Sequence, residues 1–226
     1  MDISLYYEEK GSGFPLIMLH GNGEEHGYFE HQTDCFAENY RVIAIDTRGH
    51  GRSPRGEGEF SIKRFADDLY GFMTEHGIEK AHILGFSDGG NIAITFALKH
   101  PEMIEKLIVD GANLYPAGVK RRIQRPIELG YYAVKLFAAF SSNAKAKAEM
   151  LSLMVNEPNI APEELKKLNM PVLVMAGTDD MIRQEHTELI AASIPGAKLV
   201  ILPGDHFIAR NNSNAFNAAV RDFLEA

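Results

Sequence analysis

In the stretch ILGFSDGGNIA, residues 83–93, Ser87 follows an apolar, β-branched run and is bracketed by Gly85 and Gly89, with Gly90 next in line. The G-x-S-x-G spacing suits a sharp strand-to-helix turn, in which small neighbours let the backbone fold tightly and lift one hydroxyl clear of it. A serine hydroxyl is a poor nucleophile near neutral pH. To attack a carbonyl it needs a base within hydrogen-bond reach, and that base needs a third group to orient it. A Gly-rich turn without chemistry carries the same residues, so the rest of the chain has to decide between the two.

Polar residues of the required types stand directly after other apolar runs. PLIMLH (15–20) leads into Gly21-Asn22-Gly23, MPVLVMAG (170–177) into Asp179 and Asp180, and AKLVILPG (197–204) into Asp205 and His206. Ligands of open α/β sheets bind beyond the carboxyl ends of the strands, which is where these residues fall if the runs are parallel strands. Serine, acid and histidine then come in the chain order of a nucleophile-elbow hydrolase. Ser87 is the candidate nucleophile. His206 is the candidate general base, and afterwards the acid toward the leaving group, with a carboxylate holding the imidazole tautomer.

The elements that must position these groups are legible in the hydropathy. Further continuous apolar runs occur at 40–46, 81–86 and 104–111, and residues 3–7 read as a strand before the turn EKGSGFP. Continuous rather than alternating runs suit strands covered on both faces. Helical patterns lie between them at 27–39, 61–76, 88–100, 183–194 and 212–225, with Ser61 and Asn212 as caps. Alternation of this kind predicts an α/β fold, with a mostly parallel, doubly wound sheet and helices on both faces. About 60 residues after Asp110 break the rhythm. They predict a small helical cap at 111–170, broken near Pro126 and at Ser141–Asn143, over a core formed by 1–110 and 171–226, the whole making one structural domain.

Composition narrows the partners. The 226-residue chain is 45% hydrophobic and 24% charged, with net charge −8, which argues against a general nucleic-acid binder. Cys35 is the lone cysteine, so no intrachain disulfide can form, as in a reducing compartment. MDISLYYEEKG lacks the basic and apolar regions of a signal peptide, and no run approaches the ~18 apolar residues of a membrane span. The expected location is the cytoplasm, with no membrane or nucleic-acid partner. The histidines show no metal-ligand spacing, and neither metal nor cofactor is expected.

The motifs HGNG (20–23), DTRGHGRS (46–53), GFSDGG (85–90), AGTDD (176–180) and GDHF (204–207) together resemble the α/β-hydrolase superfamily. The resemblance runs from about residue 15 to the C-terminus and leaves only the cap unmatched. SDGG by itself resembles a small esterase branch that includes valacyclovir-hydrolase-like enzymes. The resemblance implies that the triad acid is Asp180, three residues after Gly177, with Asp179 a turn or capping neighbour. It also implies an oxyanion hole from the backbone N–H groups of Asn22 and Asp88, each such donor contributing about 3 kcal/mol. His20 is then a buried ring supporting the oxyanion loop, and His50 is not catalytic. Arg48 and Ser53 hold the DTRGHGRS loop by hydrogen bonds.

Other residues are candidates for substrate contact: Asp88, Gly21, Tyr132 and Phe207. The Asp88 side chain either stabilises a helix start or meets a cationic group of the substrate. Residues 111–150 carry seven basic and two acidic residues, net +5, which leaves −13 on the rest. Lys120, Arg121, Arg122 and Arg125 form either a solvated face or an attraction for an anionic substrate. Leu129, Tyr132, Leu136 and Phe140 are expected to pack the cap onto the core. The sequence therefore predicts a cofactor-free serine hydrolase acting on a small-molecule carboxylic ester or thioester through an acyl-enzyme. C–C bond hydrolysis, acyl transfer and perhydrolysis use the same triad, and a weakly catalytic ligand sensor could share the fold.

Overall fold

The computed structural model describes residues 2–226. A seven-stranded sheet contains β1 (Tyr7–Lys10), β2 (Phe14–Leu19), β3 (Tyr40–Ile45), β4 (Ala81–Phe86), β5 (Ile104–Asp110), β6 (Val172–Gly177) and β7 (Lys198–Leu202). Their spatial order is β1-β3-β2-β4-β5-β6-β7. Only β1 runs antiparallel to its neighbour. The expected first strand lies later than its hydropathy suggests. Tyr6 N–H donates to Ser53 Oγ (2.7 Å) and Asp46 N–H to the Tyr6 carbonyl (2.9 Å), so the loop after β3 occupies the backbone that precedes Tyr7.

The helices are α1 (Glu30–Phe36), α2 (Ile62–Glu75), α3 (Asp88–Lys99), α4 (Arg121–Lys135), α5 (Ser142–Asn156), α6 (Gln184–Ser193), α7 (Ile208–Asn211) and α8 (Ser213–Leu224). β4 and β6 are buried along their whole length, as strands covered on both faces must be. On one face the core takes Phe65, Leu69 and Phe72 from α2, Phe96 from α3 and Ile190 from α6. On the other it takes Phe36 from α1 and Phe216 and Val220 from α8. This is the doubly wound arrangement that right-handed crossovers produce. Ser61 caps α2 by accepting from Arg64 N–H (3.1 Å). Asn212 precedes α8 without capping it, because its amide donates to the Pro203 carbonyl instead (2.9 Å).

Between β5 and β6 the chain makes α4 and α5. Ser141 caps α5 (3.3 Å to Ala144 N–H), which accounts for the expected break there. Pro126 does not break α4, contrary to expectation. The carbonyl it leaves without an intrahelical donor belongs to Arg122, and both residues are exposed, so water can take the bond. The insertion is fastened to the body by the Arg55–Glu149 ion pair and by Glu157, which accepts from Ile62 N–H (2.6 Å). No helix among the described residues is long and apolar enough to cross a membrane.

Asp110, the last residue of β5, is fully buried, and neither carboxyl oxygen meets a hydrogen-bonding group of the chain. Burial, and then the nearby charge of Asp180, push its carboxyl well above the usual carboxylate range. Because the folded-state pKa exceeds the unfolded one, the folded chain holds more protons between the two. Stability is therefore retained below the unfolded pKa and lost as pH rises through the folded one. Asp110→Asn removes this dependence. The variant should gain on wild type in thermal unfolding as pH rises from about 4 to about 8, by about 2–4 °C for each kcal/mol recovered. A difference in melting temperature that does not change with pH would contradict the assignment of a neutral buried carboxyl.

Candidate active site

Ser87 sits where β4 ends and α3 begins, with φ 53° and ψ −119°. It is the sole non-glycine residue at positive φ among the described residues. Such strain persists only where the surroundings over-determine it. Here they do. Ser87 N–H donates to the Asp110 carbonyl (2.7 Å), and Tyr28 stacks on the preceding Phe86 with ring centroids 4.3 Å apart. A Cβ on Gly89 would lie 2.0 Å from the Leu19 carbonyl oxygen, and one on Gly85 would lie 2.3 Å from that of Gly89. Only glycine lets α3 approach β2 and β4 this closely.

The three chain segments named in the sequence converge on this hydroxyl. His206 Nε2 lies 3.0 Å from Ser87 Oγ, and His206 Nδ1 lies 2.7 Å from Asp180 Oδ1. Both His206 and Asp180 are buried. Asp180 Oδ1 also accepts from Ile182 N–H (2.8 Å), which fixes the carboxylate against rotation. Asp179 is exposed, its N–H donating to the Gly204 carbonyl (2.8 Å), so it is the turn neighbour. With the imidazole proton on Nδ1, Nε2 is free to accept the serine proton.

The HGNG loop runs directly over the nucleophile. A Cβ on Gly21 would lie 2.9 Å from the Phe86 ring and 3.2 Å from Ser87 Cβ. His20 is buried between loops: Nε2 accepts from Thr47 N–H (3.0 Å) and Nδ1 lies 2.7 Å from the Gly21 carbonyl oxygen. Burial pushes its pKa down to about 4, so the ring is neutral at physiological pH and acts as a spacer. The backbone N–H groups of Asn22 and Asp88 make no hydrogen bond to the described residues, and both are available as oxyanion donors.

Asp88 is more engaged than a helix-start residue requires. Its carboxyl accepts from Asn22 Nδ2 (2.9 Å) and Asn91 Nδ2 (3.1 Å). Burial raises its pKa, although both amides oppose the shift. The Asn22 amide donates a second hydrogen bond to the Met150 carbonyl of α5 (2.9 Å), so one side chain ties the HGNG loop to both α3 and the insertion. Asn91 in turn accepts from Asn113 N–H (2.9 Å) just after β5.

The remaining predicted residues divide. Phe207 is half-buried beside His206 and packs against Phe86 and Arg210. Tyr132 is 58% exposed and is not brought to the catalytic residues, because Tyr131 takes the inward position on α4. The expectation that Leu129, Tyr132, Leu136 and Phe140 pack onto the core fails for the same reason. His50 stays away from Ser87, bonded near Thr47 and the Arg48 carbonyl. Arg48 pairs with Asp68 (2.6 Å), and Ser53 Oγ donates to the Asp46 carbonyl (2.6 Å), holding their loop as expected. Glu25, His26 and Asp46 bring ligand-type atoms within 4.8 Å of one another. The Asp46 carboxylate is taken up by the N–H groups of His26 and Arg52 and by the His26 ring.

Sequence reading passed over Asp110, the Asn91–Asn113 link and Met150. Asp110 was accessible to it, being the polar residue that ends an apolar run. The other two depend on contacts between distant segments.

The family model of the alpha/beta hydrolase fold matches residues 15–144. The protein assigned as carbamate hydrolase RutD in Caulobacter sp. (strain K31) is 29% identical, over 97% of this chain and 95% of that protein. Serine hydrolase BPHL of Homo sapiens is 25% identical, over 99% of this chain and 84% of that protein. The crystal structure of a hydrolase from Pseudomonas aeruginosa PA01 superposes with a TM-score of 0.81 at 25% identity, covering 99% of this chain and 95% of that one. On its sequence, its sheet and these similarities, the chain belongs to the alpha/beta hydrolase fold family.

Proposed function

We propose that this chain is a serine hydrolase that cleaves a small carboxylic ester or thioester through an acyl-enzyme. The observation that carries this reading is the contact between His206 Nε2 and Ser87 Oγ at 3.0 Å, at a serine held in strained backbone geometry. His206 takes the serine proton as Oγ attacks the carbonyl, and returns it to the departing alcohol or thiol. Water then repeats the cycle on the acyl-enzyme. Asp180 stabilises the imidazolium formed in each step, and the N–H groups of Asn22 and Asp88 receive the charge that develops on the carbonyl oxygen. No step requires a cofactor. A carbamate carbonyl, suggested by the name of one relative, would be attacked in the same way.

A fluorophosphonate probe should label Ser87, located by mass spectrometry of the digested protein. Ser87→Ala should abolish labelling and reduce esterase turnover on the order of a million-fold, with the fold retained. Near-wild-type activity in pure Ser87→Ala protein would remove the assignment.

Asp180→Asn should lower kcat on a p-nitrophenyl ester by about ten-thousand-fold, whereas Asp179→Asn should stay within about twofold of wild type. The reverse order of effects would place the acid at 179.

For Asp88 the geometry favours a positioning role over amine recognition, since both carboxyl oxygens are held by amides of the protein. Asp88→Asn should therefore slow an aminoacyl ester and its deaminated isostere by the same factor, about tenfold, because an Asn side chain has one acceptor oxygen for the two amides that Asp88 holds. A wild-type preference for the amino ester that collapses in the variant would instead assign the carboxylate to the substrate.

A further inference from the structure

The outer face of α4 has no partner among the described residues. Arg122, Arg125, Leu129, Tyr132 and Leu136 follow one another at intervals of three and four residues, which places them in a single stripe along the helix. All are exposed, while Gln124 and Tyr131 on the opposite face are buried against the rest of the insertion. The chain immediately after α4 extends the apolar end of the stripe. Leu129, Leu136, Phe137 and Phe140 are 72%, 75%, 64% and 88% exposed. The other large exposed hydrophobics, Phe14, Tyr70 and Leu199, lie on three separate elements. At the other end, Arg121, Arg122 and Arg125 lie within salt-bridge distance of no carboxylate among the described residues.

We propose that this face docks on an anionic lipid bilayer, with the arginines at the headgroup phosphates and the apolar end of α4, with Phe137 and Phe140, entering the interface. Charge selects this occupant. Residues 120–135, α4 with the residue before it, carry five basic residues and one acid, net +4 on a chain of net −8, so the attraction is local to the helix that carries the apolar stripe. A second copy fits poorly. Packing two such stripes together would put Arg122 and Arg125 of both copies into one apolar seam, with Glu128 the one acid on each α4. Packing the stripe on the body of another copy would require an apolar counter-surface, and the scattered Phe14, Tyr70 and Leu199 do not form one. At a lipid surface the same arginines find phosphate, and their stems lie along the apolar boundary. The sequence expectation of no membrane partner rested on the lack of a spanning segment. A helix lying in the interface needs none.

Vesicle flotation tests the proposal. The full chain should float with vesicles of phosphatidylcholine containing about one third phosphatidylglycerol, and about tenfold less with phosphatidylcholine alone. Arg121→Glu/Arg122→Glu/Arg125→Glu should lose binding by at least about tenfold, and Leu136→Ser/Phe140→Ser should lose it comparably. Both variants should keep the far-UV circular dichroism and the p-nitrophenyl esterase rate of wild type. The chain contains no tryptophan, so Phe140→Trp supplies a single indole that should blue-shift on adding the anionic vesicles, a readout independent of how the multiple variants fold. Wild type remaining in the soluble fraction, or an indole unmoved by vesicles, would overturn the proposal. So would a dimer in sedimentation velocity that Leu136→Ser/Phe140→Ser abolishes and vesicles do not compete, which would give the face to a second copy.

Discussion

At residue 87 the chain must leave a fully buried parallel strand and enter a helix within a space too small for a Cβ at positions 85 or 89. Much of the rest of the site follows from that constraint. The tight turn drives Ser87 to positive φ, which points its hydroxyl out over the carboxyl edge of the sheet and leaves the first N–H of α3 without a carbonyl partner. The same compression brings the HGNG loop against Phe86 and Ser87. The position of Ser87 thus depends on one packing contact, that of Gly89 on the Leu19 carbonyl. Strain at the serine is offset by the buried aromatic and aliphatic packing on either side of β4.

Three carboxyl groups lie at this edge of the sheet, and their surroundings separate their roles. Asp180 meets an imidazole and a backbone N–H. Asp110 meets no donor and lies in the field of Asp180, so the proton is favoured there. Asp88 falls between the two, buried but held by two amides. Of the three, Asp180 is the one hydrogen-bonded to His206.

The insertion is part of the site through its backbone. Met150 on α5 accepts from the same Asn22 amide that binds Asp88, and the Arg55–Glu149 pair anchors the adjacent residue. α5 therefore lies against the HGNG loop, while α4 packs on α5 with its apolar stripe toward solvent.

The sequence by itself determined the order of strands and helices, the location of the turn at Ser87 and the identities of its partners. Continuous apolar runs bounded by glycine encode parallel strands locally, and polar residues that end those runs necessarily fall at one edge of the sheet. Asp180 was separable from Asp179 only through the family resemblance, because adjacent residues in a turn share the same local signals. The Asp180 carboxylate meets the imidazole because β6 and β7 are neighbours, which is a fact of sheet order. Tertiary structure alone decided which side of α4 is covered. Tyr131 and Tyr132 have the same composition and opposite fates, since an amphipathic period says that a helix has an apolar face but not which surface will receive it. It also decided that Asp88 holds Asn22 and that Asp110 lacks any donor. Those pairings join residues far apart in the chain, and a buried carboxyl is defined by neighbours that no local pattern specifies.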